Sequence, residues 1–223
     1  MLEDSKNNYI CAIYMDSAAY GLCLCDISTG EVYASSFPAN EEGLGHLQNE
    51  LGRFHPAEAV LSSGAWNTDG LVPFLKDRLG CLCENGGEAR FRLNTARPLA
   101  EKQFQSGLTA VPPQDEATIQ AAGGLLAYLY ETQKTDLSHI SALTYYTAGQ
   151  FMELDLTARQ TLELTATMRG KEKRGSLLWV LDKTKTAMGG RLMRGWLERP
   201  LLSPARIARR QQGVADLVED AIT

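Results

Sequence analysis

The sequence predicts an α/β domain built on a mixed sheet, followed by an all-α segment. Three observations predict it. Residues 8–37 hold three short runs rich in β-branched, aromatic and cysteine side chains, separated by very short turns; connections this short join antiparallel neighbours. From residue 40 to residue 134 strand-like runs alternate with helical stripes. From Asp155 onward the pattern reads as helical throughout, and there the charge changes sign. Residues 1–168 carry 10 Lys/Arg against 21 Asp/Glu, whereas residues 169–210 carry 12 against 3. An asymmetry of that size marks two units with different neighbours.

The elements follow in order. "NYICAIYMD" (8–16), "YGLCLCDIS" (20–28) and "EVYASSF" (31–37) are the three strands, with Gly30 supplying the flexible backbone of the second turn. Helix 40–54 starts at Asn40, a capping residue, and places Leu44, Leu47, Leu51 and Phe54 on one face. "AEAVLSS" (57–63) is a buried strand, "TDGLVPFLKDRLG" (68–80) a short helix and "CLCE" (81–84) a further strand. A less regular stretch with a short helix near 98–104 leads to helix 115–134, capped by Asp115 and striped by Ile119, Ala122, Leu126 and Leu129. The order βββαβαβα is that of the RNase H-like architecture, a likeness of fold that implies no activity. The boundary falls within 134–146, dividing the chain into 1–136 and 137–223. In the second part "LTYYTAGQFMELD" holds a strand or arm, and helices are expected over 155–169, after Ser176 and after Ser203-Pro204.

Composition narrows the function. The chain of 223 residues is 44% hydrophobic and 22% charged, the balance of an ordinary globular protein. No apolar run approaches the ~20 residues that span a bilayer. The acidic start "MLEDSKNN" has no apolar run behind it, so a cytoplasmic location is expected. Five cysteines, at 11, 23, 25, 81 and 83, argue against a disulfide framework. The two C-x-C pairs lie in strand-like runs where i and i+2 share a face, which reads as small core side chains and not as a zinc knuckle.

Three kinds of chemistry are candidates. A two-metal nuclease needs carboxylates converging at strand ends. Asp16, Glu50 and Glu84 stand at three such places, but the fourth strand ends in Ser62-Ser63, where an acid is required. A phosphate loop is suggested by Gly170-x4-Gly175-Ser176, yet the lysine before Ser176 is missing and no strand feeds the loop. A nucleic-acid surface is suggested by the basic loop, with Lys171, Lys173 and Arg174 as phosphate-neutralising candidates, and by the series Arg191, Arg194 and Arg199. A stand-alone nuclease and a basic nucleic-acid-binding module are therefore the alternatives to a purely structural reading. In that structural reading Ser176 caps one short helix, residues 184–186 interrupt it, and Thr186 caps a second. Trp179, Met188, Leu192 and Trp196, with Leu197, pack the core. Gly189 and Gly190 let another backbone approach.

Particular stretches carry a resemblance. "SLLWVLDKTKTAMGGRLMRGWLERPLLSPARIARRQQGVADLVED" (176–220) resembles the core domain of the MutS family of bacterial DNA mismatch-repair proteins, and "MELDLTARQTLELT" (152–165) resembles the segment just before it in that family. "MLEDSKNNYICAIY", "YGLCLCDISTGEVY" and "GGLLAYLYETQK" are similar to that family's connector domain. The resemblance implies an RNase H-like connector at 1–136 and the start of a helical core at 137–223. It implies no catalytic, cofactor or metal residue in this stretch. The mismatch-reading domain is expected before it, and the ATPase, with ATP and Mg²⁺, after it. The implied partners are MutL, mismatched duplex DNA held by other domains, and a second copy of the full-length protein. The implied role is mechanical: coupling of DNA binding to the ATPase, and recruitment of MutL.

Overall fold

In the computed structural model, residues 8–133, 137–147, 151–170 and 172–220 are described. Strands β1 (Tyr9–Met15), β2 (Ala19–Asp26) and β3 (Glu31–Pro38) form an antiparallel meander. Each turn is closed by an aspartate. Asp16 Oδ1 accepts the Ala18 and Ala19 N–H groups at 2.8 and 3.0 Å, and Asp26 Oδ1 accepts that of Ser28 at 2.9 Å. Helix α1 (Glu41–Phe54) starts where Asn40 accepts the Gly43 N–H. It carries the chain back so that β4 (Glu58–Leu61) lies parallel to β1. The next crossover is broken. Ser62 caps α2 (Ser63–Trp66), Gly70 turns the chain in the left-handed region, and α3 (Leu71–Pro73) runs on into a π-helical turn, Phe74–Arg78. The helix expected over 68–80 thus starts only after Gly70 and is underwound after Pro73. β5 (Leu82–Asn85) then pairs parallel to β4.

Helices α4 (Leu93–Phe104) and α5 (Glu116–Thr132) cover one face of the sheet. Their side chains, with Phe91, enclose Ile10, Ala12, Cys23, Cys25, Val32, Ala34 and Val60. α1 covers the opposite face, where Phe54 meets Tyr9 edge-on at 5.0 Å. Cover on both faces explains why β1 and β2 are apolar almost throughout instead of alternating. Two glycines permit close approaches between the sheet and α5 and between α4 and α5. A Cβ on Gly21 of β2 would collide with the Ala117 carbonyl oxygen, and one on Gly123 of α5 would collide with the Ala96 backbone.

A sixth strand, β6 (Ala142–Tyr145), pairs parallel to β3, so the sheet order is β5-β4-β1-β2-β3-β6. Asp115 gathers this corner: its carboxylate caps α5 and also accepts the hydroxyls of Thr118 (2.8 Å), Ser36 (2.7 Å) and Tyr145 (3.1 Å). Tyr146 finishes the join. Its carbonyl accepts the Ser35 hydroxyl at 2.8 Å and its own hydroxyl donates to Glu50 at 2.6 Å. The compact unit therefore runs to Tyr146, past the 136/137 boundary expected from sequence, and residues from Thr147 on belong to the second unit.

Within that second unit, α6 (Leu156–Thr161) is capped by Asp155 and ends early, because Glu163 takes a left-handed backbone (φ 47°). The helix expected over 155–169 stops there. Its leucines at 162 and 164 are spaced by two, which no helix face can use. The chain instead folds back: the Leu177 and Leu178 N–H groups donate to the Glu163 and Leu164 carbonyls at 3.0 and 2.9 Å, and Leu164 and Leu178 are buried. α7 (Leu177–Leu181), α8 (Ala187–Glu198) and α9 (Pro204–Glu219) follow, and Phe151 bridges to Leu201 in an isolated antiparallel pair.

Candidate functional site

The acids considered for metal chemistry each hold a structural post. Asp16 closes the β1–β2 turn, Glu50 takes the Tyr146 hydroxyl and pairs with Arg53, and Glu84 pairs with Arg90 at 2.6 Å. The position that would need a further acid is Ser62. Its hydroxyl oxygen accepts the Met15 N–H at 3.2 Å, beside the end of β1, and the Ala65 N–H at 3.2 Å. Among the described residues no group of three or more His, Cys, Asp or Glu side chains is placed to hold a metal ion. The cysteines sit as small core side chains: Cys11, Cys23, Cys25 and Cys81 are buried and Cys83 is half-buried. Burial pushes the Cys25 thiol up to about 12, away from nucleophilic use.

The glycine–serine stretch after Thr167 is a capping loop. Gly175 has φ 95°, the Ser176 hydroxyl donates to the Lys173 carbonyl at 2.7 Å, and its oxygen accepts the Trp179 N–H at 3.3 Å. With Ser176 committed to both bonds and a five-residue helix behind it, the loop does not fit a nucleotide phosphate.

Of the three basic candidates, Lys171 lies outside the described residues. Lys173 is tied to Asp182 at 2.5 Å, and this contact, with hydrogen bonds from Thr184, holds the Asp182 carboxyl down to about 2. Its charge is compensated by that carboxylate, at the C-terminal end of α7. Arg174 is exposed.

The second helical piece begins as the sequence reading expects, with the Thr186 hydroxyl oxygen accepting the Gly189 N–H at 3.0 Å. Its stripe differs. Met188 and Leu192 are 78% and 56% exposed, Trp179 is 48% exposed, and Trp196 and Leu197 are only half-buried. Periodicity identifies an apolar face, but not what covers it. Gly190 is buried and Gly189 half-buried. Among the described residues their nearest neighbours are the Thr184, Thr186 and Asp182 side chains of the preceding turn.

Sequence reasoning passed over a different group. Arg206, Arg209 and Arg210 of α9 line a surface concavity of about 360 Å³ with Leu201. The Arg210 guanidinium lies 4.1 Å from the centre of the Trp196 ring, and that of Arg206 5.8 Å from the Phe151 ring. Burial, then the charge of Arg206, lowers the proton affinity of Arg210. The spacing i, i+3, i+4 was visible in the sequence; the convergence on one hollow was not.

These features define a class: an α/β domain on a mixed sheet, joined to a basic helical segment. Comparison with known proteins gives the family. Residues 8–141 match MutS domain II and residues 157–223 match MutS domain III. The chain belongs to the MutS family of DNA mismatch repair proteins. It is 37% identical over 217 residues to the DNA mismatch repair protein MutS of Ruminiclostridium cellulolyticum, covering 97% of this chain and 25% of that protein. The corresponding protein of Clostridium novyi is 36% identical over 219 residues (98% and 23%), and that of Alkaliphilus oremlandii 37% over 227 (100% and 26%). The chain thus spans about a quarter of the length of these relatives.

Proposed function

We propose that this chain is the connector and the first part of the core of a mismatch-recognition protein, and that its role is mechanical. The sheet unit, which the sequence reading ended at residue 136, acts as the connector, and the helical unit after it acts as the opening of the core. The observation that carries this reading is the coincidence of two divisions: domains II and III match consecutive stretches, and the chain folds as two consecutive compact units. The meander β1–β3, with β4 and β5 added parallel to β1, supports an RNase H-like connector. Mismatched DNA and ATP with Mg²⁺ are held by other parts of the longer protein, which works as a cytoplasmic homodimer. This chain transmits between those sites and offers a surface to MutL. Coupling of that kind is a free energy shared between distant sites through an element with two placements.

The test is capture of the full-length protein by immobilised MutL, with ATP and a mismatched duplex present. Among the described residues of the first unit, Leu82 and Tyr130 are the large apolar side chains exposed to solvent. Leu82→Glu with Tyr130→Glu is expected to weaken MutL capture several-fold while mismatch binding and ATP turnover persist. Unchanged capture, with these and with charge-reversal variants across the same unit, would show that MutL does not bind the connector. The 223-residue chain alone is expected to hydrolyse no ATP and to bind paired and mismatched duplexes equally.

A further inference from the structure

From Ala187 to Arg210 the chain carries six arginines and one carboxylate, Glu198. That carboxylate is already engaged. Arg194 pairs with it at 3.5 Å, and the charges of Arg194, Arg159 and Arg199 work against the upward push that burial gives its pKa. Arg206, Arg209 and Arg210 remain. Among the described residues no carboxylate is ion-paired with any of the three, and they face one concavity whose fourth lining residue is Leu201. Their spacing puts them on a single face of α9, with Arg206 in its first turn, where the helix end adds partial positive charge. Rings lie beside two of the three guanidinium groups, Trp196 at Arg210 and Phe151 at Arg206, which limits the freedom those side chains would lose on meeting a ligand. Like charges held together without a counterion raise the free energy of the empty site, and an anion relieves it.

We propose that Arg206, Arg209 and Arg210 form a seat for the phosphodiester backbone of duplex DNA, bound without regard to sequence. This rests on the reading of the chain as part of a mismatch-repair protein. The guanidinium fork matches phosphate oxygens two at a time. A duplex presents about one charge per 1.7 Å along its axis, so a cluster this tight finds a phosphate for each arginine. An acidic protein segment fits less well, because protein partners anchor through large side chains in apolar pockets, and this hollow offers one leucine. Binding to phosphate fixes position and carries no base information, so the seat steadies DNA that other domains have chosen.

The experiment is fluorescence anisotropy of the 223-residue chain with a labelled, perfectly paired duplex, titrated between about 50 and 200 mM salt. Replacing all three by glutamine is expected to weaken binding at least tenfold at the low-salt end. It should flatten the plot of log K against log salt by about 2–3, because each phosphate that an arginine neutralises adds roughly 0.9 to the slope. Arg209→Gln alone, which disturbs neither aromatic neighbour, should flatten it by about 1, and circular dichroism should show it folded. The triple lysine variant should keep the slope, and Lys173→Gln should leave it unchanged. The proposal is overturned if wild type does not bind duplex at the lowest salt, or if the folded Arg209→Gln and triple glutamine variants keep the wild-type slope. It is also overturned if polyglutamate competes as well as duplex at equal charge, which would point to an acidic protein. MutL capture reads the proposed function separately: loss of capture with an intact salt slope would sink that reading and leave this one standing.

Discussion

Lys173 and Asp182 illustrate how a single contact changes the reading of a charge. A lysine in a basic loop invites a phosphate, but this one is spent on a carboxylate nine residues away, which also takes the Thr184 hydroxyl and N–H. The folded-state pKa of Asp182 is depressed from an ordinary 3.8 to about 2. A depressed carboxylate stabilises the fold above its unfolded pKa, and that contribution is lost as pH falls from about 4 to about 2. Asp182→Asn is therefore expected to lower Tm at pH 7 by a small amount, since Lys173 is 41% exposed and solvent screens the pair. The difference from wild type should close by pH 2. Thermal melts of both proteins across that range check it, and a difference that stays constant with pH would remove the ionic account.

At the scale of elements, the α4–α5 crossing depends on the absence of a side chain. Gly123 lies within α5, where glycine costs roughly 1 kcal/mol relative to alanine. The cost is offset by the close approach of Ala96, whose backbone a Cβ would strike. Gly123→Val should destabilise the protein by about 1–3 kcal/mol or more through overpacking. Gly45 of α1 gives the contrast: nothing lies within 4 Å of a Cβ placed there, so Gly45→Ala should stabilise by about 0.5–1 kcal/mol. Urea denaturation of the two variants measures both signs, and a stable Gly123→Val would show that the crossing is loose. The second unit follows another rule. Its helices are individually capped by Asp155, Ser176, Thr186 and Ser203, so local hydrogen bonds define their starts more than a shared core does.

For the whole molecule, the sheet unit is closed by residues that sequence pattern assigns to the far side of a boundary. Leu137, Ile140, Leu143 and Tyr146 are all buried, and burying each such side chain is worth about 1.5–3 kcal/mol. Together that is comparable with the net stability of a typical domain, about 5–15 kcal/mol. A chain ending at residue 146 is thus expected to unfold cooperatively on heating, whereas one ending at residue 136 should lose its sigmoidal transition. Circular dichroism of the two truncations decides it, and equal melting of both would show that β6 is dispensable. The remaining residues carry exposed apolar side chains on α7, α8 and α9, among them Val180, Met188, Leu192 and Leu217. They also carry the arginine cluster, and among the described residues the second unit holds most of the exposed large apolar side chains.

Much of this was legible in the residues themselves. The three-strand meander, the caps at Asn40, Asp115, Ser176 and Thr186, and the break between α7 and α8 follow from interactions within a few residues, which local sequence encodes directly. Other features are set by groups far apart in the chain. The early end of α6 depends on Leu177 and Leu178 returning to Glu163 and Leu164, β6 on its pairing with β3, and the tie of Lys173 on Asp182. Whether an apolar stripe is covered, and whether an arginine meets a carboxylate, depend on which distant surfaces come together. The sequence determined which faces are apolar and which helices are capped. Only the tertiary structure decided which charges were already compensated, because compensation is a matter of distance in space and not of spacing along the chain.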